Sequence, residues 1–219
     1  LNAIYLPIEV KDGEELRQFI TFITTNKELN RSCYGFSVTM PFKELLPPIF
    51  NKQGINNLLI WNKEKSFYNS DEDAFIEFRN RLNLDKSSSI LIYGTGSMAK
   101  LAIKSFSNYR LLVAGRDENK LQNLAKEYCF IEVIDQKRYN NYVDLLINTT
   151  SLGMNGEDFS IVTGISNYKF VIDLPYSERR SCLELQTAKE DCFSGVEFWK
   201  EQSKRQLKLF KERISDGKK

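Results

Sequence analysis

The sequence predicts an α/β protein built on a mostly parallel sheet, and three observations predict it. Short apolar runs of strand length alternate with segments of helical period along nearly all of its 219 residues. One such run, ILIY at 90–93, leads through a glycine-rich turn straight into an amphipathic segment. A polar stretch, LDKSSS at 84–89, divides a first group of elements from a fresh strand–helix–strand run.

Taken in order, AIYLPIEV at 3–10 reads as a strand, followed by a helix from Glu14 to Thr25. Phe36 to Met40 is an apolar run that reads as a short buried strand, ended by Pro41, and a short helical piece closes near Pro47-Pro48. NNLLIW and KSFY read as a hairpin turning at Asn62-Lys63. Asn69 or Ser70 can cap a helix through DEDAFIEFRNRL, whose Asp71, Glu72 and Asp73 suit the positive end of its dipole. Beyond the linker come strand 90–93, helix 97–107, strand 110–114, helix 117–127 and strand 129–134, then VDLLIN and KFVIDL as two more strands. A final helix begins near Gly195, where Val196, Trp199, Leu207, Phe210 and Ile214 recur at spacings of 3, 8, 3 and 4 as one apolar stripe. The closing SDGKK reads as frayed.

Composition narrows the function. With 42% hydrophobic and 27% charged residues the chain reads as an ordinary soluble globular protein. A net charge of +2 gives no electrostatic case for nucleic acid or an acidic membrane. No apolar run approaches the ~20 residues that span a bilayer, and no signal-peptide pattern opens the chain, so the expected compartment is the cytoplasm. Cys33, Cys129, Cys182 and Cys192 make no CxxC pair; buried reduced thiols are expected, and no metal site. The sequence holds no histidine, which excludes imidazole bases, Ser-His-Asp triads and HExxH helices. Any proton transfer falls to Lys, Asp, Glu, Tyr or Cys. Because it opens at Leu1, inside a strand-like run, the chain is expected to be a fragment or processed product of something longer.

In ILIYGTGSMAKLAIKSF, Gly94 and Gly96 follow a strand and open a helix, with Ala99 in the third small position of a GxGxxA pattern. A tight turn there lets backbone approach a pyrophosphate, and the helix start offers N–H donors to it. The reader of the ribose should stand ~20 residues on, where the sequence is VAGRDENK. Gly115 replaces the expected acid, and Arg116 with Lys120, one turn apart, can clamp a 2′-phosphate, favouring NADP over NAD. The alternative leaves both as solvated charges at a helix start.

These motifs, in this order, resemble the shikimate dehydrogenase family. SVTMPFK is similar to its N-V-T-x-P-F-K, GINN to G-A-x-N-T, YNSD to N-T-D, GTGSMAK to the glycine loop, and AGRDENK to N-R-T-x-x-[RK]. NTTSLGM is similar to N-A-T-S-x-G-M, DLPYSERRS to D-x-x-Y-x-P-x-x-T, and GVEFWKEQ to G-x-x-M-L-x-x-Q, so that the likeness runs from about Leu1 to Phe210. The resemblance implies a Rossmann-like NAD(P)-binding domain at 83–194 and a smaller discontinuous α/β substrate domain from 1–82 and 195–219. It implies Lys43 as catalytic lysine and Asp71 as its partner, with Thr39, Asn56, Asp71, Tyr176 and Gln202 at substrate-contact positions. Gly94, Thr95, Gly96, Ser97, Met98, Gly115, Arg116, Lys120, Leu174 and Gly195 fall on cofactor-lining positions. Asn148 and Thr150 belong to the loop beside the nicotinamide.

The implied reaction is NADP-dependent, reversible reduction of 3-dehydroshikimate to shikimate, in aromatic amino acid biosynthesis, by a monomer or homodimer. An ammonium beside the ketone oxygen would stabilise developing charge and supply the proton. Without the resemblance, Lys43 reads as an exposed charge and Asp71 as a helix-start charge. The sequence also departs from the family. No S-x-S-P turn, whose hydroxyls grip the substrate carboxylate, occurs in it. Losing two such bonds would forfeit ~3–6 kcal/mol, so shikimate binding should be crippled unless residues upstream of Leu1 supply the turn. The Lys43–Asn56 interval is short, EDAF replaces glycines after Asp71, Glu178 stands for proline, and Phe198-Trp199 replaces Met-Leu. Two other readings therefore stay open: a ligand-binding or regulatory module of the same shape without turnover, and a dehydrogenase of quinate or a related ring acid.

Overall fold

The computed structural model describes residues 3–216. They form two compact units, one holding residues up to Ser70 and from Ser203 onward, the other Asp71–Gln202.

The first unit starts with helix α1 (Gly13–Thr25), capped by the Asp12 carboxylate, which accepts from the Glu14 and Glu15 N–H groups at 2.9 Å each. Asn26 ends α1 and caps α2 (Lys27–Ser32). Strand β1 (Gly35–Ser37) leads through turns to α3 (Leu46–Ile49), and β2 (Leu58–Ile60) and β3 (Ser66–Tyr68) form the hairpin. The antiparallel sheet has the order β1-β2-β3, with Leu59 opposite both Phe36 and Phe67. Alternation along β2 sends its side chains both ways. Leu59 and the following Trp61 pack with Leu16, Ile20, Ile23, Phe42 and Leu46, and Phe36 and Phe50 meet the Trp61 ring edge-on. Leu58 and Ile60 pack instead with Leu209 and Phe210 of α9 (Gly195–Asp216), the helix that both units share.

The second unit begins in helix α4 (Ser70–Leu82) and continues through β4 (Ser89–Tyr93), α5 (Ser97–Ser105), β5 (Arg110–Ala114), α6 (Glu118–Glu127), β6 (Ile131–Val133) and β7 (Val143–Asn148). It closes with α7 (Phe159–Thr163), β8 (Tyr168–Asp173), α8 (Cys182–Gln186) and β9 (Cys192–Ser194). All six strands pair in parallel, in the order β6-β5-β4-β7-β8-β9. Numbered along this sheet alone, the order is 3-2-1-4-5-6, that of a doubly wound dinucleotide-binding fold. Parallel strands are covered on both faces and read as unbroken apolar runs; accordingly Ile90, Leu91, Ile92 and Tyr93 are all at most 1% exposed. Phe75 and Phe78 of α4 pack on Phe198 at ring-centroid distances of 4.8 and 5.7 Å.

Several expectations are corrected. Residues 3–10 form no strand: neither sheet takes them up, and Ile4 and Tyr5 are 85% and 72% exposed. Apolar alternation without a ladder partner does not make a strand. The strand expected at Phe36–Met40 stops at Ser37 and is only half-buried, and Met40 is exposed. The short helix starts at Leu46 and holds both prolines in its first turn, where their missing N–H groups cost no helical bond.

On α9 the apolar stripe faces the wrong way, with Val196, Trp199 and Leu207 exposed, although Ile214 is buried and Phe210 partly so. The inward row runs through Gly195, Phe198, Gln202, Gln206, Leu209 and Arg213. Gln206 bonds Ser37 and Ser70, and Arg213 donates to the Trp61 carbonyl at 3.1 Å. Polar side chains with buried partners thus took the positions a hydrophobic count gives to the apolar ones. Of the cysteines, all free, only Cys192 is buried, and Cys129 is exposed in the turn between α6 and β6. In the SDGKK tail, Ser215 and Asp216 continue α9, and residues 217–219 lie outside the described residues.

Candidate functional site

The C-terminal ends of β5, β4, β7, β8 and β9 finish on one rung, Ala114, Tyr93, Asn148, Asp173 and Ser194 in lateral register. The strand order reverses between β4 and β7, which is where open α/β sheets bind ligands. Gly94, Thr95, Gly96, Ser97 and Met98 leave this edge after β4; Gly115 and Arg116 leave after β5; Asn148 and Thr150 lie at the end of β7, and Leu174 follows β8. The Leu174 N–H donates to the Asn148 carbonyl at 3.0 Å. Gly195 begins α9 against the same segment: a β-carbon there would stand 2.3 Å from the Leu174 carbonyl oxygen and 2.6 Å from that of Pro175. The chain thus brings all twelve candidate cofactor residues to one edge of one unit.

Two glycines on this edge do different work. Gly94 has φ +132, and a β-carbon on it would fall 2.2 Å from Thr149 Oγ1. That hydroxyl and the Thr149 N–H both donate to the Tyr93 carbonyl at 2.9 Å, so the β7 loop lies across the turn. Gly96 is exposed, and a β-carbon on it would meet nothing within 4 Å. No side chain caps α5, which Gly96 opens. A bare helix start beside open space fits a pyrophosphate, whose oxygens take the backbone donors. The next helix differs: the Asp117 carboxylate caps α6 by accepting from the Lys120 N–H at 3.0 Å, and this bond first of all holds its carboxyl below the usual range. Lys120 Nζ lies 3.4 Å from that carboxylate, with both groups well exposed, and Arg116 precedes the helix, exposed.

Behind the edge sits a buried carboxylate that sequence reasoning passed over. Asp173 accepts from Asn148 Nδ2 at 2.7 Å and from the Ser181 hydroxyl. Burial is the main cause that pushes its carboxyl up to about 6, with the Glu184 carboxylate adding to it and the two hydrogen bonds opposing. Cys192 beside it on β9 is raised to about 12, again chiefly by burial. The available signal was an acid closing an apolar run, KFVIDL, in a strand reading as buried on both faces.

A folded-state carboxyl above its unfolded value of ~3.9 contributes stability below that value and loses it as pH rises through about 6. Asp173→Asn is therefore expected to exceed the wild type in unfolding free energy at pH ~8 by roughly 1–3 kcal/mol, an advantage that vanishes by pH ~4. Urea unfolding across pH measures it, and a constant difference between the two proteins would disprove the assignment.

The candidate substrate residues divide between the units. In the first, Thr39 is exposed and its carbonyl accepts from the Phe42 N–H at 2.9 Å; Lys43 is half-buried in the turns between β1 and α3. The Asn56 N–H donates to the Lys43 carbonyl at 3.0 Å, which places those two side by side. Ser70, the last residue of this stretch, is held from three directions: its N–H donates to Asn57 Oδ1 at 2.8 Å, its hydroxyl bonds the same amide, and Gln206 Nε2 donates to it at 2.9 Å. In the second unit Asp71 is buried in the first turn of α4, Tyr176 is exposed in the loop after β8, and Gln202 is half-buried on α9. No helix among the described residues is long and apolar enough to cross a membrane.

No family model matches the chain. It is 29% identical to a shikimate dehydrogenase-like protein of Haemophilus influenzae, over 71% of this chain and 58% of that protein. It is 25% identical to the shikimate dehydrogenase (NADP(+)) of Aquifex aeolicus over 90% of this chain and 76% of that one. The crystal structure of the Aquifex aeolicus shikimate dehydrogenase superposes with a TM-score of 0.75 at 23% identity, covering 98% of this chain and 87% of the other.

Proposed function

Because this chain is a divergent member of the shikimate dehydrogenase family, we propose that it reduces 3-dehydroshikimate to shikimate, reversibly, with NADP as its cofactor. The observation that carries the reading is the open flank of Gly96 at the uncapped start of α5, on the sheet edge where strand order reverses. The domain of 83–194 takes the dinucleotide, and that of 1–82 with 195–219 takes the ring acid. The α5 N-terminus holds the pyrophosphate, Arg116 the 2′-phosphate, and the segment from Asn148 to Thr150 the nicotinamide side. Bound NADPH supplies the hydride. Lys43 stabilises the oxyanion that forms at the reduced carbon and delivers the proton, and Asp71 holds the position of the family's partner aspartate. Thr39, Asn56, Tyr176 and Gln202 bind ring hydroxyls, for which groups that both donate and accept are suited.

Following NADPH formation from shikimate and NADP⁺ by absorbance tests the reaction; calorimetric binding of both without any absorbance change would replace it with the ligand-binding reading. Cofactor choice has its own test. Arg116→Ala is expected to weaken NADP⁺ by about 10–100-fold, the worth of one or two hydrogen bonds to a charged group, and to leave NAD⁺ binding unchanged. Equal losses for the two would remove Arg116 from the 2′-phosphate.

A further inference from the structure

The loop after β7 is held by hydrogen bonds that run from Leu152 through Thr150 and Asn148 to Asp173. The Leu152 N–H donates to Thr150 Oγ1 at 3.1 Å, and that hydroxyl donates to Asn148 Oδ1 at 2.8 Å, as does the Thr150 N–H at 3.1 Å. Asn148 Nδ2 donates to the Leu152 carbonyl at 2.9 Å and to Asp173 Oδ1 at 2.7 Å. The Ser181 hydroxyl donates to Asp173 Oδ2 from the other side, while its oxygen accepts from the Glu184 N–H at 3.1 Å. Asn148 and Asp173 are both fully buried neighbours on the last rung of the sheet.

An amide can be turned over, exchanging donor and acceptor, unless a partner forbids it. An ionised carboxylate only accepts, so Asp173 obliges Asn148 to present Nδ2 to it and Oδ1 to Thr150. Reversal would set two acceptors against each other at 2.7 Å and leave the Thr150 N–H facing a donor.

We propose that Asp173 is a positioning residue whose carboxylate, held by Ser181, fixes the orientation of the Asn148 amide and through it the shape of the 149–153 turn that meets the cofactor. The last clause rests on the reading given above; the bracing of the turn does not. The groups facing Asp173 are consistent with an acceptor that keeps its place when protonated. They are Glu184, itself paired with Arg180 at 3.5 Å, the Cys192 thiol and Tyr168. A proton on Oδ2 turns toward the Ser181 oxygen and leaves Oδ1 free to accept from Asn148. Asparagine can do the same with its amide, so Asp173→Asn should rescue what Asp173→Ala loses.

The test is amide hydrogen exchange in the full chain without ligand, with NADP⁺ affinity measured in parallel by calorimetry. Asp173→Ala should speed exchange at Thr150 and Leu152 by about tenfold or more and weaken NADP⁺ by about tenfold, while Asp173→Asn stays within about threefold of wild type in both. If Asp173→Ala does not fold, Ser181→Ala removes one of the carboxylate's two donors, and exchange at the same two amides should rise about threefold. Unchanged exchange in the folded variants overturns the brace. Faster exchange with unaltered NADP⁺ affinity overturns its link to the cofactor. Wild-type protein with no affinity for NADP⁺ sinks the functional reading alone, and the exchange comparison still decides the brace.

Discussion

Replacing Lys43 with alanine is expected to lower the rate of shikimate oxidation by about 10²–10⁴-fold and to leave NADP⁺ affinity unchanged. The sequence has no histidine, so no imidazole can take over the proton. Position 43 lies in a chain reversal whose carbonyl accepts from the Asn56 N–H, between the buried Phe42 and Leu46. Lys43→Arg separates charge from proton supply. A guanidinium stabilises an oxyanion but does not release its proton, and that variant should recover only part of the rate. Steady-state kinetics with calorimetric NADP⁺ binding reads both effects, and full turnover by Lys43→Ala would take this lysine out of the mechanism.

The second large effect is a contrast between two glycines that flank Thr95 in the same turn. Gly94→Ala must fit a β-carbon 2.2 Å from Thr149 Oγ1 at a backbone angle that side chains rarely adopt. Crowding and strain together should cost roughly 2–6 kcal/mol, a large share of the ~5–15 kcal/mol that holds a domain together. Gly96→Ala adds its methyl to open space, and thermal unfolding should barely shift. Its effect should fall on the dinucleotide, with affinity lowered at least about tenfold by a methyl where backbone and pyrophosphate must approach. Equal NADP⁺ affinity in Gly96→Ala and wild type would mean that nothing docks on that flank.

What could be read from the sequence follows from how local its cause is. The strands of the parallel sheet are apolar because both faces are covered, and the GTGSMA turn carries its own geometry, so both were legible. The strand Cys192–Ser194 was not, being three residues without an apolar run; its existence depends on the edge that β8 offers. The short helices Phe159–Thr163 and Cys182–Gln186 were announced only by their caps, Asp158 and Ser181. The face of the last helix was misread because Gln206 and Arg213 bury polar ends against partners 136 and 152 residues away. Asp173 opens the DLPYSERRS motif, yet its burial arises from strands on both sides of it.

The tie between Ser70 and Gln206 has a consequence for synthesis. A ribosome completes Asp71–Gln202 as one unbroken stretch, so this half can acquire its structure as soon as it has emerged. The half that is translated first stays incomplete: the residue just ahead of Asp71 waits for a glutamine made 136 positions later. Beginning-to-end order of manufacture and order of assembly are therefore opposed in this polypeptide, and its early hairpin must survive unpartnered on one face until the last helix is released.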